Sequence, residues 1–305
     1  MSAWLTAAVT GAEERSRARR GQLAILLAAV AWSTAGLGQR ELDASPATQV
    51  AGRAAFAALA LLALVLATER RGTVAAFRSM GRWGVALAVA LGISSGGFLF
   101  ALNYTTVANL LFMQAAAPMM AALLGWALLR ERVDGRTWVA LGLAAAGVGL
   151  MAAGSFDAGF TAAVMPFVVT ASFAVVIVIA RHRREVSMMP ATCASQVLVL
   201  LACLPFLSLG SAGRSDWLVV AALGIGQIGA GLALLTIGAR LIPPAQVAII
   251  SLLELVLGPL WVWLAYAERP STGTVLGGAV VVAAVLVQSS GDVLRLRRVS
   301  AEAHP

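Results

Sequence analysis

Two ionisable side chains stand inside apolar runs long enough to cross a bilayer. Glu254 lies in Ala245–Arg269, AQVAIISLLELVLGPLWVWLAYAER, and Arg53 sits about one turn into the run 47–68. A charge at membrane depth is costly, so it faces a bundle interior or a wet cavity and is read first as functional. Glu254 can serve as a proton site, a cation partner or a ligand for a cargo ammonium. The competing reading pairs it permanently with Arg53, merely locking two helices together. Arg53 could attract a carboxylate, but so near the start of a span its long stem can carry the guanidinium to the interface. That structural role is the preferred reading for Arg53.

Uncharged polar residues occur at comparable depth. Trp32, Ser33 and Thr34 fall midway along the first run, Ser94, Ser95 and Gln114 in the third and fourth, and Gln227 in the eighth. Ser251 precedes Glu254 by three residues, which places both on one helix face. Taken singly, each such residue is most often interhelical glue; as a convergent set they outline a cavity, since polar groups at this depth need partners. Pro118 and Pro259, the latter beside Gly258, interrupt two of the runs, and proline frees a carbonyl and kinks a helix. Each kink is either a transport hinge or a static packing feature. Asn103 and Tyr104 are assigned to the outer mouth as gating residues. Gly92 and Gly96 mark close helix contact, and Trp83, Trp217 and Trp261 read as interface anchors.

Composition narrows the setting. Of 305 residues, 60% are hydrophobic and 12% charged, with a mean hydropathy of +0.88; soluble domains carry roughly a quarter charged residues. The chain reads as an all-α polytopic membrane protein in contact with the lipid bilayer. Its net charge of +8 comes entirely from arginine, with no lysine, and in a soluble chain would suggest nucleic acid. Here the arginines cluster between apolar runs, so they are read as setting orientation and no nucleic-acid partner is assigned. Cys193 and Cys203 are ten positions apart in one run, too far for a disulfide on a helix. His182 and His304 are the only histidines, and no metal site, cofactor site or catalytic triad can be assembled, so no enzyme is expected. The all-arginine, alanine-rich composition points to a bacterial host.

At about 20 residues per span, ten runs qualify: 21–39, 47–68, 82–102, 108–129, 136–153, 159–181, 191–210, 215–238, 245–266 and 271–290. With the N-terminus inside, the inner side receives Arg15, Arg17, Arg19, Arg20, then Arg70, Arg71, Arg78, Arg82, then Arg130, Arg132, Arg136. It also receives Arg181, Arg183, Arg184, Arg240, Arg295, Arg297 and Arg298, against Arg40, Arg214 and Arg269 outside. This bias places both termini in the cytoplasm. Residues 1–20 form a cytoplasmic segment and 291–305 a cytoplasmic tail. Residues 21–153 and 159–290 form two five-span halves. Sliding 108–132 by 137 positions pairs Asn109 with Gln246, Trp126 with Trp263 and Glu131-Arg132 with Glu268-Arg269. Because five is odd, the second half is inverted relative to the first. Inverted repeats characterise secondary transporters, whose site lies near the midplane between the halves.

The ten-span plan, the duplicated segment closing in Glu-Arg, Trp32-Ser33, Arg53 with Phe56, and the Gly-rich last span of each half resemble the drug/metabolite transporter superfamily. More narrowly they resemble its EamA-type exporters, including the bacterial aromatic amino-acid exporter branch. The resemblance covers about Gly21 to Gly291. It implies export of amino acids or other small metabolites, some coupled to protons. One departure is visible: the family often has Glu-Pro in the ninth span, whereas Glu254 is followed by Leu255, with Gly258-Pro259 beyond. Any helix break is therefore expected about a turn later than in the family. The expectation is an inner-membrane exporter of broad specificity working by alternating access, for which a monomer suffices. The alternative is a proton-coupled exporter of lipophilic cations, for which Trp32 offers a cation–π face.

Overall fold

The computed structural model describes residues 2–35, 37, 42, 44–68, 72–101, 114, 116–130, 133–152, 160–208, 210, 212–267 and 272–302. Among them there is helix and no strand, as hydrocarbon demands of a chain that must satisfy its own backbone. In chain order the helices are α1 (Ser2–Ser33), α2 (Pro46–Thr68), α3 (Gly81–Ala101), α4 (Ala117–Leu129), α5 (Gly135–Ala152) and α6 (Phe160–His182). They continue with α7 (Met189–Cys203), α8 (Arg214–Gly238), α9 (Pro244–Tyr266) and α10 (Thr272–Glu302). Five of these are long and apolar enough to span alone, and α4, α5 and the apolar part of α10 are shorter apolar helices. The ten expected runs are compatible with these helices, though parts of several, 108–113 among them, lie outside the described residues.

The outward surface is as apolar as the core. Leu59 and Leu286 are each 63% exposed, and Leu218 74%. In water such a surface would be a liability; here it is the lipid face of a multi-pass membrane protein. Inside, the helices close on small residues. A side chain at Gly147 of α5 would meet the Gly277 carbonyl oxygen of α10 at 2.7 Å, so these two helices touch backbone to backbone.

Packing follows the duplication. α3 packs on α6 and α7, and its counterpart α8 packs on α1 and α2. α4 packs on α6, and α9 on α1. The pairs α2–α7, α4–α9 and α5–α10 join the two halves directly. These contacts recur with the halves exchanged, while α9 also packs on α5, α6 and α10.

Three local features were not expected. A short helix, Thr73–Ser79, leads into α3 at 86°, the corner turning on Gly81 with φ +53 and open space where a Cβ would be. A positive φ of this kind favours glycine. In α8, Leu223–Ala230 is π-helical. Gly224, Gly226 and Gly229 lie in this stretch, and Gly224 lies so close to α2 that a Cβ would sit 2.8 Å from the Arg53 carbonyl oxygen. At the arginine-rich end, Arg181 Nη1 donates to the Arg240 carbonyl at 3.2 Å and Arg240 Nε to the Arg184 carbonyl at 2.8 Å. Burial lowers the Arg240 pKa, with Glu185 opposing and Arg17 adding to the fall.

Candidate functional site

α9 carries the acid, and its shape decides where the acid points. The helix is broken once, at Leu252, between Pro244–Ser251 and Leu253–Tyr266. Leu252 N–H donates to the Ile249 carbonyl at 3.2 Å, and Leu255 N–H to the Leu252 carbonyl at 3.0 Å. These short-range bonds tighten the turn just before Glu254. The break was expected at Gly258-Pro259; instead the helix runs continuously through Pro259. At Gly258 the helix runs beside α1, where a Cβ would lie in ordinary contact, 3.8 Å from the Ser33 carbonyl oxygen. Pro118 stands in the first turn of α4, a position where a missing N–H costs nothing, and the residues before it, 111–113 and 115, lie outside the described residues.

Glu254 faces a cavity of about 420 Å³ between the two halves. Its walls come from α1 (Trp32, Ser33), α2 (Arg53), α3 (Ser94, Ser95, Phe98), α6 (Thr170, Phe173), α8 (Gln227) and α9 (Glu254, Gly258, Pro259), with Gln114 just ahead of α4. Gln114 Nε2 donates to Glu254 Oε1 at 3.2 Å, a bond that crosses from one repeat to the other. The partner that closes on Glu254 is therefore the Gln114 amide rather than the Arg53 guanidinium. Trp32 packs edge-on against Phe173, with ring centroids 6.1 Å apart. It lies across Gly231 of α8, where any side chain would collide with the indole.

Of the expected site residues, Trp32, Ser33, Arg53, Ser94, Gln114, Gln227, Glu254, Gly258 and Pro259 all line this cavity. Arg53 does not reach an interface: it is 1% exposed. Its own backbone is packed against α8, where a Cβ on Gly224 would lie 2.8 Å from the Arg53 carbonyl oxygen. Thr34 and Ser251 lie off the cavity wall. Each hydroxyl turns back on its own helix, Thr34 onto Ala31 at 2.7 Å and Ser251 onto Val247 at 2.9 Å, the local competition that serine and threonine always offer. Asn103 and Tyr104 lie outside the described residues.

Trp261 also departs from expectation. It is not a simple interface anchor, since its Nε1 donates to Ser33 Oγ at 2.8 Å. Thr170 and Phe173 were missed altogether. They sit in FVVTASFAVV, an uncharged run whose polar residues are Thr170, four residues after Pro166, and Ser172. Among the described residues no group of His, Cys, Asp and Glu could hold a metal ion. What the arrangement can do is bind: it offers a carboxylate, a guanidinium, amides and hydroxyls in an aromatic-walled space between two repeats.

The comparisons agree with this architecture. A crystal structure 22% identical in sequence superposes with a TM-score of 0.76, covering 92% of this chain and 98% of that one, which shows a shared fold. Comparison with curated proteins gives no match. The description "EamA-like transporter family" matches twice, over residues 19–153 and again over 160–290, one match to each half that the helix packing had already separated. Duplicated in sequence and in packing, the chain belongs to the EamA-like transporter family of the drug/metabolite transporter superfamily, a family of small-molecule transporters rather than enzymes.

Proposed function

We propose that this protein is a secondary transporter that exports amino acids or related small metabolites by alternating access, with broad specificity. One observation carries the reading: Arg53 and Glu254, opposite in charge, line a single cavity between two repeats. A zwitterion presents both complements. The remaining wall is largely apolar, which suits varied side chains and offers few groups to penalise a wrong one. Rocking of one repeat against the other would expose the cavity to each side in turn.

In the same reading the protein sits in a bacterial inner membrane with both termini in the cytoplasm, as the arginine distribution supports. It belongs near the aromatic amino-acid exporter branch and uses Glu254 to couple flux to protons. The test is uptake of a labelled amino-acid mixture into proteoliposomes, with and without an imposed pH gradient. Saturable flux that follows the gradient supports both cargo and coupling. Saturable flux indifferent to it keeps the cargo and removes the coupling.

A second reading is favoured by the Trp32–Phe173 wall beside Glu254: export of lipophilic cations in exchange for protons, with the indole as a cation–π face. Absence of flux for every amino acid, together with cation efflux competed by protons, would select it.

A further inference from the structure

The oxygen atoms of this wall show a pattern that the transport reading alone does not explain. Four hydroxyls within the bundle turn onto a carbonyl of their own helix: Ser33 onto Val30, Ser95 onto Leu91, Thr192 onto Met188, Thr236 onto Leu232. Thr170 breaks the habit. Its residue is 2% exposed, and its Oγ1 makes no hydrogen bond among the described residues. The amide oxygens of Gln114 and Gln227 are likewise buried without a donor. With Glu254 ionised, Gln114 keeps its oxygen turned from the carboxylate, because Nε2 is committed to Glu254 and the flipped amide would set two acceptors against each other. A buried acceptor without a donor is expensive, and a cluster of them in a native protein calls for a ligand.

Glu254, Gln114, Thr170 and Gln227 come from α9, the approach to α4, α6 and α8, and all four line the one cavity. We propose that they form a subsite for a primary ammonium group of the cargo. The carboxylate balances its positive charge, and the amide and hydroxyl oxygens accept its N–H donors. Arg53 on the same cavity receives the anionic end. The inference rests on the transport reading and deepens it: cargo is chosen by N–H donors, not by positive charge alone. A quaternary ammonium has the charge and none of the donors.

The experiment uses the full chain in proteoliposomes and three competitors of labelled amino-acid uptake that share one side chain: the free amino acid, its N-methyl form and its N,N,N-trimethyl betaine. The expected order is amino acid, then N-methyl, then betaine, with the betaine weaker by about tenfold or more, given the strength of hydrogen bonds to charged groups. Thr170→Val and Gln227→Leu should each shrink that discrimination by about fivefold, and Thr170→Ser should restore it. A betaine that competes as well as its parent, in wild type and variants alike, overturns the subsite and leaves transport standing. No uptake of any amine-bearing probe overturns the transport reading itself. Uptake that requires sodium and ignores N-methylation assigns these oxygens to an alkali cation and also overturns the proposal.

Discussion

The helices α4 and α9 are the same object built twice, and the positions at which they differ are informative. Under the 137-residue offset Ala117–Leu129 corresponds to Glu254–Tyr266, which is α9 after its break. Both helices end on a left-handed residue at equivalent positions, Arg130 with φ 54 and Ala267 with φ 56, the two non-glycine residues of positive φ among those described. Trp126 and Trp263 are equivalent and both face outward, 61% and 44% exposed. The duplication has kept backbone, cap and lipid face. At the cavity it has diverged: Ala117 and Glu254 are equivalent, both line the cavity, and one carries a methyl group where the other carries a carboxyl group. Gln114, equivalent to Ser251, reaches across to that carboxyl, while Ser251 turns back on its own helix. Pseudo-symmetry supplies the frame; its local failure sets a carboxyl group and its amide partner across the repeats.

The comparison makes a first, large prediction. Glu254→Gln should leave protein in the membrane but abolish transport or its dependence on a pH gradient. Adding Ala117→Glu to Glu254→Ala, which moves the carboxyl group to the equivalent position, should not restore flux, because Ser251 offers no amide donor there. Flux in proteoliposomes reads both, and rescue by the swap would show that either position serves. Wild-type flux with an intact pH response in Glu254→Gln would sink the assignment of the acid altogether.

Next in size, the two prolines should behave differently. Pro259 is inside a continuous helix and Pro118 in a first turn. Replacing Pro259 with alanine should raise thermal stability by up to about 3 kcal/mol, the cost of an interior proline. Pro118→Ala should change stability by under about 1 kcal/mol. Melting temperatures in detergent test the pair, and equal effects would remove the distinction.

A smaller effect is expected where α9 meets α1. Trp261→Phe keeps the ring but loses the bond to Ser33, about 1 kcal/mol by the usual worth of a hydrogen bond. Its thermal shift should match that of Ser33→Ala, and the double variant should add little to either. The smallest concerns α4 against α9. A Cβ at Gly125 would lie 3.3 Å from the Pro244 ring, so Gly125→Ala should cost no more than about 1 kcal/mol, the mild end of overpacking, and should leave the cargo preference unchanged.

Much of this was legible in the chain. Ten apolar runs, their arginine-flanked ends and the 137-residue offset are one-dimensional patterns, and hydrocarbon enforces them residue by residue. Glu254, Gln114 and Gln227 could be named for the same reason: polarity in an apolar run is visible without knowing what it touches. Thr170 and Phe173 could not, since one threonine and one phenylalanine in a span are ordinary until α6 is set beside α1 and α8. Arg53 was placed at an interface because depth along a helix was known and its burial against α8 was not.

The sequence by itself therefore determined the class of protein, the duplication and the short list of polar candidates, since each follows from hydrophobicity and spacing along the chain. Only the tertiary structure decided partners and sides. It gave Glu254 to Gln114 rather than Arg53, turned Ser251 and Thr34 away from the cavity, moved the break of α9 to Leu252 and brought Trp261 onto Ser33. Those outcomes depend on which helix faces which across distances of a few ångströms. A periodic sequence specifies the faces of a helix but not the neighbour each face will meet.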